Sequence, residues 1–158
     1  LDTLLDRIME VMDSAFDPAF GEAWTRRQVA DALSLASTHA LVIDARGALL
    51  SAASPAPPHL PDATAAAGFI LTRHVLDEEE LLLIAVAPQY RRRGLASALI
   101  EHMIAAARSR GITRIYLEMR KGNPAISLYQ RVGFLPIGER ANYYRLGNGA
   151  RADAITFG

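Results

Sequence analysis

The chain has 158 residues, 51% of them apolar and 22% charged, with 17 basic residues balanced by 17 acidic ones. That length suits a single domain, 1–158, with one sizeable core, and the composition excludes a disordered chain. The even charge argues against a broad nucleic-acid surface, and the lack of cysteine excludes disulfides, zinc–thiolate sites and a cysteine nucleophile. No apolar run approaches the roughly 18 residues of a membrane span. The start, Leu1-Asp2-Thr3-Leu4-Leu5-Asp6, has no basic stretch ahead of an apolar one. Neither membrane contact nor a signal peptide is expected, and a cytoplasmic location is.

Leu4, Leu5, Ile8, Met9, Val11 and Met12 recur at helical spacing between Asp2, Asp6, Arg7 and Glu10, predicting an amphipathic helix that ends near Phe16. Asp17-Pro18 and Gly21 break it and leave a loop carrying Phe20 and Trp24. Thr25 is placed to cap a second helix to Leu35, with Val29, Ala32 and Leu33 inward. Residues 39–44 read as a strand, and Arg46-Gly47 turns the chain into another over 48–53. Pro55, Pro57, Pro58 and Pro61 make 54–62 a stiff exposed loop. Strands over 66–75 and 80–86 flank a turn at Leu76-Asp77-Glu78, and 81–86 is apolar on both faces, as a strand covered from both sides would be.

Beyond Gly94 the period becomes helical. Leu95, Ala98, Leu99, His102, Met103 and Ala106 share a face, and Gly111 suits the helix end. A strand over 115–119, a short helix over 124–132 and a strand over 134–138 follow. Residues 143–146 and 152–157 close the chain as a hairpin. The order predicts an α+β fold around one central sheet.

The strongest local signal lies between the strand that stops at Pro88 and the helix that starts near Gly94. A helix start leaves its first N–H groups unpaired, and with the helix dipole these form a site for a pyrophosphate. Gly94 and Ala96 keep side chains small where a phosphate would approach, and Arg91, Arg92 and Arg93 add positive charge. The plain alternative is a surface turn with solvated arginines. Nucleic-acid binding by the same residues lacks an aromatic stacking platform.

Arg91, Gly94 and Ala96 match the Arg/Gln-x-x-Gly-x-Gly/Ala pattern, which resembles the signature of the GNAT (GCN5-related N-acetyltransferase) superfamily. The segment from Ile115 to Phe134 resembles that superfamily's second half: a strand, an asparagine, Ala125-Ile126-Ser127-Leu128-Tyr129 and Gly133-Phe134. Ile84-Ala85-Val86, Leu117-Glu118-Met119-Arg120, Arg140-Ala141-Asn142-Tyr143-Tyr144 and Asp153-Ala154-Ile155 are most similar to ribosomal-protein alanine N-acetyltransferases and related N-terminal acetyltransferases. The resemblance implies a GNAT fold, a mixed and mostly antiparallel sheet of about six to seven strands flanked by about four helices. It implies acetyl-CoA as acyl donor, bound by Ile84, Ala85, Val86, Arg91, Arg92, Arg93, Gly94, Leu95, Ala96, Asn123 and Tyr129. It also implies direct transfer to an amine, the α-amine of a protein or peptide such as a ribosomal protein, with Glu118 as general base and Tyr129 as general acid. Where the family has two residues between the asparagine and the Ala-Ile pair, Asn123-Pro124-Ala125 has one. A small amine as acceptor, and a non-catalytic acyl-CoA-binding module, stay open as alternatives, as do monomer and weak dimer.

The chemistry suits these residues. An acceptor ammonium must lose a proton before it attacks a thioester, and a departing thiolate gains from a proton donor. Ile115, Leu117 and Met119 face one way along their strand, and Tyr116, Glu118 and Arg120 the other. Glu118 is thus either a base or a partner of Arg120, and Tyr129 either an acid or a core tyrosine. Glu79 and Glu80 are reserve bases, although such an acidic run is commonly a solvated turn. A backbone N–H near Val86 is the expected donor to the carbonyl oxygen. Tyr143 and Tyr144 could line an acceptor groove or simply pack; Phe20 and Trp24 lie where the family binds its acceptor, with Trp24 equally placed to staple the second helix. The histidines show no metal-ligand spacing, and no metal is expected.

Overall fold

Two amphipathic helices cover one face of a sheet. Helix α1 (Asp2–Ala15) buries Ile8, Val11 and Met12, and α2 (Arg26–Leu33) buries Val29. Thr25 starts α2 with a reciprocal cap: its hydroxyl accepts from the Gln28 N–H while its own N–H donates to the Gln28 side chain at 2.7 Å. An exposed Arg26–Asp6 ion pair joins the two helices. The structure, a computed structural model, describes residues 2–15, 23–50, 65–120, 126–145 and 151–157. The expected loops at 16–22 and over the prolines of 54–62 lie outside them.

The sheet contains β1 (Thr38–Ile43), β2 (Leu49–Leu50), β3 (Gly68–Val75), β4 (Glu78–Val86), β5 (Arg114–Arg120), β6 (Pro136–Arg145) and β7 (Arg151–Phe157), in the order β2-β1-β3-β4-β5-β7-β6. Every neighbouring pair is antiparallel except β4 and β5. The crossover between that parallel pair is α3 (Leu95–Ser109), and α4 (Ile126–Arg131) lies between β5 and β6. The expected mixed, mostly antiparallel sheet is therefore the one observed, with seven strands and four α-helices among the described residues.

Apart from shifts of a residue or a few at element ends, three features differ from the sequence reading. β4 starts at Glu78 rather than Glu80, so the hairpin turn narrows to Leu76-Asp77, with Leu76 left-handed at φ 56°. The strand expected over 134–138 and the one at 143–146 are a single β6, because pairing with β7 carries the ladder through a polar stretch of weak strand propensity, with a register shift between Arg140 and Tyr144. The buried stripe of α3 is Leu95, Leu99, Ile100, Met103 and Ala107, so Ala98, His102 and Ala106 flank it instead of lying at its centre.

Two apolar layers sandwich the sheet. On the α3 side Ile43, Ile70, Leu81, Leu99, Met103, Leu117 and Met119 pack together, and on the α1–α2 side Val42, Phe69, Leu71, Leu83 and Ala85 do. Burial from both sides explains why β4 is apolar at successive positions. A bulge sits within it: Thr72 pairs with Leu81 but Leu71 pairs with Leu83, leaving Leu82 extra. Glu79 and Leu81 below the bulge therefore share a face with Ile84 and Val86 above it, although their numbers differ in parity.

Candidate active site

The parallel pairing of β4 with β5 covers only Glu78↔Arg114 to Leu81↔Leu117. Past that point β5 continues against β7, with Glu118 opposite Thr156, while β4 continues against β3 as far as Val86 opposite Gly68. The two strands part where the bulge bends β4. Residues 82–86 thus have one backbone edge in the sheet and the other facing the gap. Such an edge offers N–H and C=O groups to an extended ligand chain.

The gap leads to the start of α3. Pro88–Tyr90 forms one 3₁₀ turn, Arg92 is left-handed at φ 65° and Gly94 at φ 75°. The first i→i−4 bond of α3 runs from the Ala98 N–H to the Gly94 oxygen at 3.0 Å. The N–H groups of Leu95, Ala96 and Ser97 hence have no intrahelical acceptor. Left-handed residues alternating with ordinary ones turn successive N–H groups into one concavity, a geometry that suits phosphate. A left-handed arginine costs of order 1 kcal/mol, and such strain marks a site held in shape by its surroundings. Nothing lies within 4 Å of a Cβ built on Gly94, so the space over this turn is open.

The three arginines do different things. Arg91 donates from Nε to the Val86 oxygen at 3.1 Å and from its guanidinium to the Ala15 oxygen at 2.7 Å, tying the turn to the end of β4 and to α1. Arg93 lies over the Tyr90 ring at 5.6 Å. Arg92 is exposed beside the concavity. Ile84 and Val86 are half-buried on the α3 face of β4 and Ala85 is buried on the other, while Leu95 anchors α3 in the core and Ala96 is half-buried.

Gly68, opposite Val86, was not singled out in the sequence. A Cβ there would lie 2.9 Å from the Ala85 oxygen and 3.2 Å from Leu99, so only glycine lets β3, β4 and α3 approach this closely beneath the gap. A lone glycine beside an apolar strand is the signal that marks it.

Glu118 is half-buried on β5, and strand alternation turns it to the face opposite Leu117 and Met119. Tyr129, on α4, is 5% exposed in the α3-side layer, its ring edge-on to Phe134 with centroids 5.9 Å apart. The two residues thus belong to opposite sides of the sheet. Asn123 lies outside the described residues, as do the side chains of Arg120, Tyr143 and Tyr144. Trp24 packs on the α1–α2 side layer.

Glu79 and Glu80 are far from this gap, at the start of β4. Glu79 is fully buried and ion-paired with Arg110, and Glu80 bonds to Arg73 at 2.9 Å. Beside Glu79, the His39 Nε2 and His74 Nδ1 atoms are 2.7 Å apart, although 35 residues separate them in sequence. Burial first, then the charge of Arg110, hold His39 below the usual histidine range, which favours its neutral form. His102 meets the Gly47 oxygen at 3.1 Å. Among the described residues no helix is long and apolar enough to cross a membrane.

Known proteins share these features. A ribosomal protein bS18-alanine N-acetyltransferase of Escherichia coli K12 is 47% identical over 90 residues, 56% of this chain and 60% of the relative, so the match spans three fifths of that protein. A crystal structure of the ribosomal-protein-S18-alanine N-acetyltransferase from Escherichia coli superposes with a TM-score of 0.74 at 32% identity, covering 97% of this chain and 84% of that one. Arabidopsis thaliana NAA60 in complex with acetyl-CoA shares the fold, with a TM-score of 0.70 at 19% identity over 98% of this chain and 91% of that one. Residues 6–134 match the acetyltransferase (GNAT) family profile, and the chain belongs to that family.

Proposed function

We propose that the chain is an acetyl-CoA-dependent N-acetyltransferase that acylates the α-amine of a protein or peptide N-terminus, a ribosomal protein being the nearest analogy. The observation that carries this reading is the open edge of β4 leading directly into the left-handed turn at the start of α3. An elongated thiol ester with a pyrophosphate at one end needs both parts, and in that order. The concavity of N–H groups would hold the phosphates, and the edge at 82–86 would run beside the extended arm. Ala96 and Gly94 leave room for the phosphates, and Arg92 is free to lie over them. Asn123 is assigned a cofactor contact on sequence grounds alone.

Acetyl-CoA, when bound, supplies an activated thioester carbonyl. Glu118 accepts the proton of the acceptor ammonium, directly or through a water, so that the amine reaches the carbonyl neutral. A backbone N–H on the free edge near Val86 donates to the carbonyl oxygen as negative charge builds there. Tyr129 gives a proton to the sulfur as it leaves, and its packing against Phe134 fixes where the hydroxyl points. Base and acid on opposite faces of the sheet suit an amine arriving from one face and a thiolate departing on the other. The names of the Escherichia coli relatives support an N-terminal alanine as acceptor, and a cytoplasmic site of action follows from that analogy.

Acetyl transfer from radiolabelled acetyl-CoA to short peptides that differ at the first residue, and to polyamines, tests the reading. Labelling of peptide N-termini is expected, with kcat falling by about a hundredfold or more in Glu118→Gln and in Tyr129→Phe. Labelling of polyamines alone would move the acceptor to small amines. Bound acetyl-CoA with no transfer to any acceptor would leave a non-catalytic acyl-CoA-binding module.

A further inference from the structure

At the start of β4, away from the gap, three strands converge on one point that acetyl transfer does not use. His39 on β1, His74 on β3 and Glu79 on β4 each bring one donor atom within 4.8 Å of the other two. Register explains the meeting: His39 pairs with Thr72, two residues from His74, and His74 pairs with Glu79. Glu79 is fully buried, and its second carboxylate oxygen, Oε2, has no hydrogen-bond partner among the described residues. A buried anionic oxygen without a donor is uncommon and calls for a ligand. The imidazoles meet edge to edge, with centroids 4.9 Å apart and planes 21° apart, and their facing nitrogens, 2.7 Å apart, share a single proton between two lone pairs. Beside them lies a cavity of about 20 Å³ lined by His39, Thr72, Glu79, Met103, Ala106 and Arg110, room for one water or one ion.

We propose that His39, His74 and Glu79 form a binding site for one divalent transition-metal ion, with zinc the expected occupant and copper(II) able to replace it. Two imidazoles and one carboxylate suit zinc, nickel and copper, whereas magnesium and calcium select all-oxygen sets. The ion takes the place of the shared proton and gives Oε2 its missing partner. Tetrahedral zinc with nitrogen bonds of about 2.0 Å separates its nitrogens by about 3.3 Å, so the rings part by roughly half an ångström. Arg110 holds the other carboxylate oxygen and thereby fixes the aim of Oε2. The bound ion clamps β1, β3 and β4 together through their side chains, and its role is structural because the acyl-transfer gap opens at the other end of β4.

The experiment is equilibrium titration of zinc into the metal-stripped, untagged full chain, followed calorimetrically. One zinc per chain is expected, with affinity falling more than about tenfold in His39→Gln and in His74→Gln. His102→Gln should bind as the wild type does. Copper(II) loaded at one equivalent should show hyperfine coupling to two imidazole nitrogens by electron paramagnetic resonance, a readout that needs no variant. Absence of zinc binding, wild-type affinity in either histidine variant, or copper coupled to fewer than two nitrogens would overturn the site.

Discussion

The two ends of β4 carry their chemistry in different ways. At Glu78–Leu81 the strand is hydrogen-bonded on both edges, and what is distinctive there is side chains: Glu79 against Arg110, with His39 and His74 beside them. At 82–86 it is bonded on one edge only, and what is distinctive is backbone: a free ladder edge, two left-handed residues and unpaired helix N–H groups. Side-chain chemistry ties the closed end to stability, whereas backbone chemistry lets the open end bind with little effect on stability. A change at one end should therefore show in melting, and a change at the other in binding.

Arg110→Ala tests the closed end most severely. It leaves Glu79 buried without its cation, a change that costs about 3 kcal/mol, at the low end for buried pairs because Arg110 is 29% exposed. Urea denaturation should report that loss while the KM for acetyl-CoA stays at the wild-type value; a raised KM would break the separation. Gly68→Ala tests the open end from its neighbouring strand, opposite Val86. Its Cβ would press on the Ala85 oxygen and on Leu99, costing about 2 kcal/mol. Because it displaces the strand that borders the gap, this variant should lose stability and acetyl-CoA affinity together. Gly94→Ala should cost only about 1 kcal/mol, since the added methyl meets nothing in the protein and only the left-handed backbone resists it. In the proposed binding mode the same methyl stands in the path of the phosphates, so acetyl-CoA binding measured by calorimetry should weaken by about tenfold, or about 1.4 kcal/mol.

The smallest effect belongs to Tyr116, which faces the acidic start of β4. Burial first, then Glu80 and Glu78, push its phenol above the ordinary value of 10.0. The folded state keeps a proton that the unfolded chain gives up, so stability falls as pH rises above 10. Melting temperature measured from pH 9 to 11 should drop less steeply in Tyr116→Phe than in the wild type.

The same contrast explains what could be read from the sequence. A site made of backbone leaves a local trace: a strand stopped at Pro88, a glycine at 94, a small residue at 96 and a helical period beyond. That trace gave the fold class, the order of the elements and the place of the turn that opens α3. It did not separate the arginines, because the carbonyls that Arg91 holds, on Val86 and Ala15, lie 5 and 76 residues away. Nor did it show the closed end, whose four side chains come from β1, β3, β4 and the end of α3. The run Glu78-Glu79-Glu80 reads as a solvated turn, yet strand alternation sends Glu79 inward and leaves its neighbours outward. Counting that alternation back from Leu81 would have found it. Continuity of β6 was hidden for a related reason: partner strands, not local propensity, decide whether a polar stretch keeps its ladder.

The extra residue Leu82 has a consequence for how such a cleft comes to exist. A regular β4 would stay in register with β5 along its whole length, and seven strands would make an unbroken surface with nowhere for a thioester to enter. The slot arises from a fault in the ladder rather than from an added loop, so its width is set inside a strand covered on both faces. Excising that one residue should heal the fault: a well-folded sheet, and no enzyme.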